Sequence, residues 1–214
     1  MQAGEPGEGH LLVVLARAQA MASQHREALE SYERAASVLD AHALIAEVDA
    51  LPMARFALQS GRYALALRAL SGHADATSRP LTRAALRVAE GHALQAMGPA
   101  SVEQAIAAYR DALRAVPEHA SALLGLALAL HRQGARDAAV AIAKRVRDPS
   151  QLDQSLLENA LPASERSARA ALWRDSIADV SAARAAWHEA MQAPGPWREH
   201  ARTTLLELDA RQRP

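Results

Sequence analysis

Nine histidines and no cysteine make a metal site the first chemical question that this sequence raises. Two histidine ligands on one helix face need a spacing of three or four residues. No pair among the nine has it. His188-Glu189 opens like a zinc-protease motif, but Gln192 stands where the second histidine belongs. The histidines therefore read as solvated or interhelical side chains, with a zinc site assembled from distant segments as the alternative. Without cysteine there is no thiolate ligand, no disulfide and no thiol nucleophile. No serine sits in a glycine-flanked elbow. Gly91, Gly98 and Gly134 fall at helix contacts and turns, not in a loop that could cradle phosphate. Carboxylate pairs such as Glu27 and Glu30 are one-turn neighbours on a solvated helix face. The expectation is a protein without catalytic residues, cofactor or metal.

Basic and acidic residues balance at 24 each, so no surplus of positive charge exists to neutralise phosphates, which argues against a nucleic-acid partner. Half of the residues are hydrophobic, yet only 3% are aromatic. Alanine dominates the apolar half; it favours helix and lets helices approach closely. That profile suits a thin stack of helices better than a compact globule. The first eight residues lack a basic region, and the apolar run at 11–15 is too short for a signal segment or a membrane span. The expected compartment is cytoplasm or periplasm, with no direct membrane insertion in this chain.

The elements that must position any site come from one recurring spacing. In Ala105-Ile106-Ala107-Ala108-Tyr109 an alanine is followed four residues later by an aromatic, then by Ala112 and by Pro117. The same spacing returns at Ala28, Tyr32 and Ala35, at Ala139 to Val146, and at Ala183, Trp187, Ala190 and Pro194. Helices are expected at 11–21, 24–39, 41–50, 52–60, 63–70, 81–97, 102–116, 118–133, 135–146, 150–161, 164–176, 180–192 and 197–211, with Pro52 in the first turn of its helix. Gly72 and Pro80 mark 71–80 as a polar loop. No segment has the period-two alternation of a strand. The interval from Ala105 to Ala139 is 34 residues, and the other intervals are longer. The surplus falls at 41–50, 71–80 and 150–161.

This pattern resembles the tetratricopeptide-repeat (TPR) family over roughly residues 9–193. Small residues stand mid-way along each first helix at Ala16, Ala54, Gly91, Ala127 and Ala171. Glycines stand at the turns at Gly61, Gly98 and Gly134, where Ser23 and Ala178 depart from the pattern. Alanines open each second helix at Ala28, Ala66, Ala105, Ala139 and Ala183. Two helices cross closely only where neither carries bulk, which explains these positions physically. The match is weakest at 52–73, where His73 occupies a position for a small residue. The resemblance implies an all-α, right-handed α-solenoid of about five antiparallel helix pairs. A flexible leader at 1–8 precedes it, and a capping helix and tail at 194–214 follow. Trp197, Ala201, Leu205 and Leu208 give that cap an apolar side, with Arg198, Glu199, Arg202 and Glu207 between them.

The resemblance also implies a partner protein or peptide held in a concave groove lined by the first helices. Mapped onto this sequence, the lining is Val13, Arg17, Arg55, Leu58, Val88, His92, Gln95, Leu124, Leu128, His131 and Arg132. The lysine and asparagine clamp with which some members hold a C-terminal carboxylate is missing from these positions. The lining is instead an apolar strip, Val88, Leu124 and Leu128, edged by Arg132, His131 and His92. It would suit an amphipathic or extended apolar segment with an acidic edge. In the alternative reading the leucines pack on neighbouring helices. Trp173, Trp187 and Trp197 serve either core and cap packing or a C-terminal contact patch. The expected function is a non-enzymatic adaptor in a bacterial assembly, export or maturation machine. The alternatives are a structural or homodimerising domain of a larger secretion or biogenesis protein and, more remotely, a metal-dependent enzyme. The stretch 187–208 loosely resembles the tails of periplasmic repeat proteins that present apocytochromes.

Overall fold

The computed structural model describes residues 6–42, 47–147 and 161–211. Every regular element among them is helical. Helices α1 (Pro6–Met21) and α2 (His25–His42) form the first antiparallel pair, and α3 (Glu47–Gln59) and α4 (Tyr63–Leu70) the second. A single turn, α5 (His73–Ala76), precedes α6 (Pro80–Met97), which pairs with α7 (Val102–Ala115). Then come α8 (Ala120–Arg132) with α9 (Arg136–Ala143), and α10 (Ala163–Ser176) with α11 (Val180–Gln192). Helix α12 (Arg198–Arg211) packs on α11. An all-α stack of helix pairs, as the resemblance implied, is what forms.

The repeated alanines explain why the pairs close. Ala28, Ala66, Ala105 and Ala139 are fully buried, as are Ala16, Ala54, Ala127 and Ala171 on the facing first helices. At the centre Tyr109 of α7 is wedged between α6 and α8. A β-carbon placed on Gly91 would stand 2.6 Å from the Tyr109 ring, and one on Gly125 would collide with it as well. Gly125, two residues before Ala127, is therefore the residue of α8 that admits the aromatic. Gly61 and Gly134 make their turns with positive φ, at +70° and +85°. Ser23 (φ 60°) and Ala178 (φ 63°), the two departures from glycine, adopt the same left-handed backbone and bear the side-chain strain that it imposes.

Several boundaries differ from expectation. Helix α1 starts at Pro6, so residues 6–8 of the expected leader are helical; residues 1–5 lie outside the described residues. Close packing extends as far back as Gly9, where a β-carbon would come within 2.7 Å of Leu39. Pro52 lies inside α3 rather than in its first turn. Buried Ala50 and an ion pair between Asp49 and Arg17 hold the turn ahead of it, offsetting the one helical hydrogen bond that proline forgoes. Of the expected helix at 41–50, residues 41–42 extend α2 and 47–50 open α3, while 43–46 lie outside the described residues. The expected helix at 150–161 also lies outside them, apart from buried Leu161.

The expected loop at 71–80 contains α5, which is pinned by two arginines of α6. Arg83 donates to the carbonyls of Ala74 (3.1 Å) and Thr77 (2.8 Å). Arg87 binds Asp111 (2.6 Å), Glu90 (2.7 Å) and Asp75. Burial is the largest single influence on the Arg87 pKa and lowers it, but Glu90, Asp111 and Asp75 together outweigh it and the pKa is raised.

Candidate functional site

The residues expected to line a concave groove are mostly inside the protein. Val13, Leu58, Val88, His92, Gln95, Leu124, Leu128 and His131 are buried; Arg17, Arg55 and Arg132 are half-buried. This corrects the expectation of an open apolar strip. Val13 and Leu58 belong to an N-terminal core with Tyr32 and Met53. Val88 packs in a central core with Tyr109 and Leu126. Leu124 and Leu128 share a C-terminal core with Leu172, Trp187, Trp197 and Leu205. The last helices therefore pack over Leu124 and Leu128, while the other apolar positions are buried by the helices nearer to them. Trp187 and Trp197 are core residues, and Trp173 is half-buried with its Nε1 donating to the Val146 carbonyl at 3.2 Å.

Polar side chains from α10 complete this closure. Arg169, buried, donates from Nη2 to Glu165 Oε1 (3.0 Å) and from Nη1 to the Ser121 carbonyl (3.2 Å). The same Nη2 lies 2.8 Å from His92 Nδ1 and 3.3 Å from the Tyr109 hydroxyl. A guanidinium can only donate, so His92 Nδ1 accepts and the ring is neutral. Burial, then Arg169 and His119, hold its pKa well below the ordinary value for histidine. The 3.8 Å approach of His92 to Glu165 is therefore not an ion pair. Gln95 Nε2 donates to the Gly125 carbonyl (2.7 Å), and Arg132 to the Gln95 carbonyl (2.9 Å). Neither Glu165 nor Arg169 stands out in the sequence. An acid and a base four residues apart on a helix read as a surface pair.

A second cluster joins α8, α11 and α12. His131 Nδ1 lies 2.9 Å from His200 Nε2, His131 stacks on Trp187 at 5.3 Å, and Arg132 sits over the Trp197 ring at 4.8 Å. Burial, then His131, Arg132 and Arg136, push the pKa of His200 down to about 3. Sequence spacing had no means of pairing histidines 69 residues apart. Among the described residues no group of three or more histidines and carboxylates is placed to hold a metal ion, and no helix is long and apolar enough to cross a membrane.

Several surfaces remain open among the described residues. One is the outer face of α1, where Leu11, Val14, Leu15 and Met21 are 71%, 58%, 47% and 88% exposed. Their spacing of three, one and six residues, with exposed Ala18 between, makes one apolar stripe. Another is a cavity of about 170 Å³ beside α9, α11 and α12.

Buried alanines on both helices of each pair and an aromatic wedged between small residues together define the packing. The fold is an all-α stack of antiparallel helix pairs. No family model matches the chain, and no curated protein matches it. Among solved structures it is similar to the crystal structure of a thermophilic TPR protein in Thermus thermophilus, with a TM-score of 0.48 and 21% sequence identity. That alignment covers 94% of this chain and 99% of the other.

Proposed function

We propose that the chain is a non-enzymatic protein-interaction scaffold, and that it engages its partner through the outer face of α1 rather than through a concave groove. The observation that carries this reading is the α1 stripe. Contiguous exposed apolar surface is uncommon on a monomer and marks contact sites. In α8, by contrast, the apolar residues from Ala122 to Leu130 are all buried. The stripe suits the apolar side of an amphipathic helix, read at three- and four-residue spacing. A setting in a bacterial assembly, export or maturation machine is part of the same proposal.

The test is a photo-crosslinking residue at Val14, with one at Arg202 on the exposed side of α12 as control. Val14 is expected to capture a discrete protein that Arg202 does not. The double variant Leu11→Glu with Leu15→Glu should lose that protein while keeping its helical circular dichroism. Identical crosslinks at both sites, or capture unaffected by the double variant, would overturn the reading. The same stripe favours homodimerisation as a second reading, in which the captured protein is another copy of this chain. Light scattering distinguishes the two, because the dimer dissociates on dilution and in the double variant.

A further inference from the structure

Five exposed positions on α1 share one spacing. Gly7, Leu11, Val14, Ala18 and Met21 follow each other at four, three, four and three residues. That alternation is the seam by which one helix packs along another in a coiled coil. The seam is also complementary to itself when reversed. Val14 stands at its centre, with Gly7 seven residues before it and Met21 seven after. Leu11 lies three residues before Val14, and Ala18 four after. A copy running the opposite way therefore sets Met21 over Gly7 and Leu11 over Ala18, a large side chain opposite a small one at each level. The space above Gly7 is open, since a β-carbon there would meet nothing within 4 Å. A copy running the same way would instead stack Met21 on Met21 and leave gaps at Gly7 and Ala18.

Charge points the same way. Apart from His10, the one ionisable side chain from Gly9 to Ser23 is Arg17, which is paired with Asp49. The seam can therefore meet its own copy without repulsion along its length. Exposed charges border it on the α2 side. Arg34 reaches Glu8 at 3.5 Å, which places Arg34 toward the N-terminal end of α1. Ser31 donates to Gln19 at 2.8 Å, so Arg26, Glu27 and Glu30 lie toward the C-terminal end of α1. Within that group Arg26 pairs with Glu30 at 3.1 Å. In the reversed pairing Arg34 comes beside Glu30 of the other copy, with Glu27 adding to the attraction, and Glu8 comes beside Arg26. Pairing in the same direction would set each charge beside its own duplicate. Exposed ion pairs are weak, so these charges select the orientation more than they add affinity.

We propose that α1 pairs with α1 of a second copy of this chain, antiparallel, across a two-fold axis at Val14. A two-fold interface makes each contact twice, which fits a seam whose two halves complement each other. One helix face is smaller than the roughly 800 Å² per partner of a standard interface, so the dimer is reversible. The inference rests on the reading of α1 as the contact face, and it names the occupant of that face.

The chain has no cysteine, so introduced thiols report the arrangement without interference. Sedimentation velocity on the full chain is expected to show a dimer that dissociates on dilution and is lost in Leu11→Glu with Leu15→Glu. Under mild oxidation Val14→Cys should link to itself. Gly7→Cys and Met21→Cys should each stay unlinked alone and should link to one another when mixed. Arg34→Glu should weaken the dimer at least about threefold, and adding Glu30→Arg should restore it. All these positions are exposed, and helical circular dichroism checks that each variant keeps its fold. A monomer at every concentration, self-linking at positions 7 and 21 without linking between them, unchanged affinity in Arg34→Glu, or no rescue by Glu30→Arg would each overturn the proposal. If the crosslinker at Val14 captures a different protein while the chain stays monomeric, this occupant is wrong and the α1 reading stands. If Val14 captures nothing that Arg202 does not, the α1 reading fails as well.

Discussion

At the C-terminal end of the described stack Trp197, just ahead of α12, and Ala201 and Leu205 within it turn inward, while Arg198, Glu199, Arg202 and Thr203 are exposed. At the N-terminal end α1 buries Leu12, Val13 and Ala16 and leaves Leu11, Val14 and Leu15 outside. Both are terminal helices of the same kind of stack, and both meet water on one side. The difference lies in what each shows to it. A solenoid needs a polar outer face where it ends. Only Leu206 breaks that rule on α12, whereas four large apolar side chains break it on α1. Among the described residues, α12 shows water a mostly polar side and α1 an apolar one.

The sharpest way to break this contrast is truncation of the cap. Trp197→Ala removes a fully buried side chain and should cost about 3–5 kcal/mol in urea denaturation. Leu11→Ala on the open end should change stability by less than about 0.5 kcal/mol. Similar losses at the two sites would erase the distinction between the ends.

Acid should weaken the packing around the two buried histidines, His92 on α6 and His200 on α12. His200 has a folded pKa near 3, and His92 is likewise depressed. The unfolded chain takes up these protons near pH 6.5 and the folded chain does not, so stability falls as pH drops below about 6.5. For His200 the fall continues to about pH 3, at on the order of 1 kcal/mol per pH unit. Urea titrations between pH 7 and pH 4 measure it, and His200→Phe should flatten the slope. An unchanged slope would assign the acid sensitivity elsewhere.

Ala178→Gly should raise stability by about 1 kcal/mol, since Ala178 holds φ at 63° where glycine is unstrained. Thermal melts would show an increase of roughly 2–4 °C in a chain of this size. The smallest stability effect is expected from Leu11→Glu with Leu15→Glu, within about 0.5 kcal/mol. Here the informative change is a lower tendency to self-associate, measured by light scattering.

The alanine spacing made the helix pairs legible because small residues at close crossings are a local requirement, visible in any single repeat. Tyr109 and its two flanking glycines show that requirement in full. The groove was not legible. Whether Leu124 or Leu128 faces solvent depends on how far the stack curls and on what α10 and α12 lay against it, and neither is encoded within the unit itself. Glu165 and Arg169 escaped for a related reason: their burial comes from α6, α7 and α8, not from their own helix. Pro52 misled because an ion pair from another helix supports the turn that precedes it. The exposed stripe of α1 was present in the sequence as an apolar run, but its exposure followed only from which faces found neighbours.

Arg169 reaches back 77 residues to His92, past the intervening α8–α9 pair. In an ideal repeat array each unit touches only its neighbours, so melting can begin anywhere and stability adds up unit by unit. A guanidinium shared among α6, α7, α8 and α10 removes that independence. Amide exchange in the helices from α6 to α11 should therefore proceed through one common opening, while α1 and α2 exchange through a separate and cheaper one.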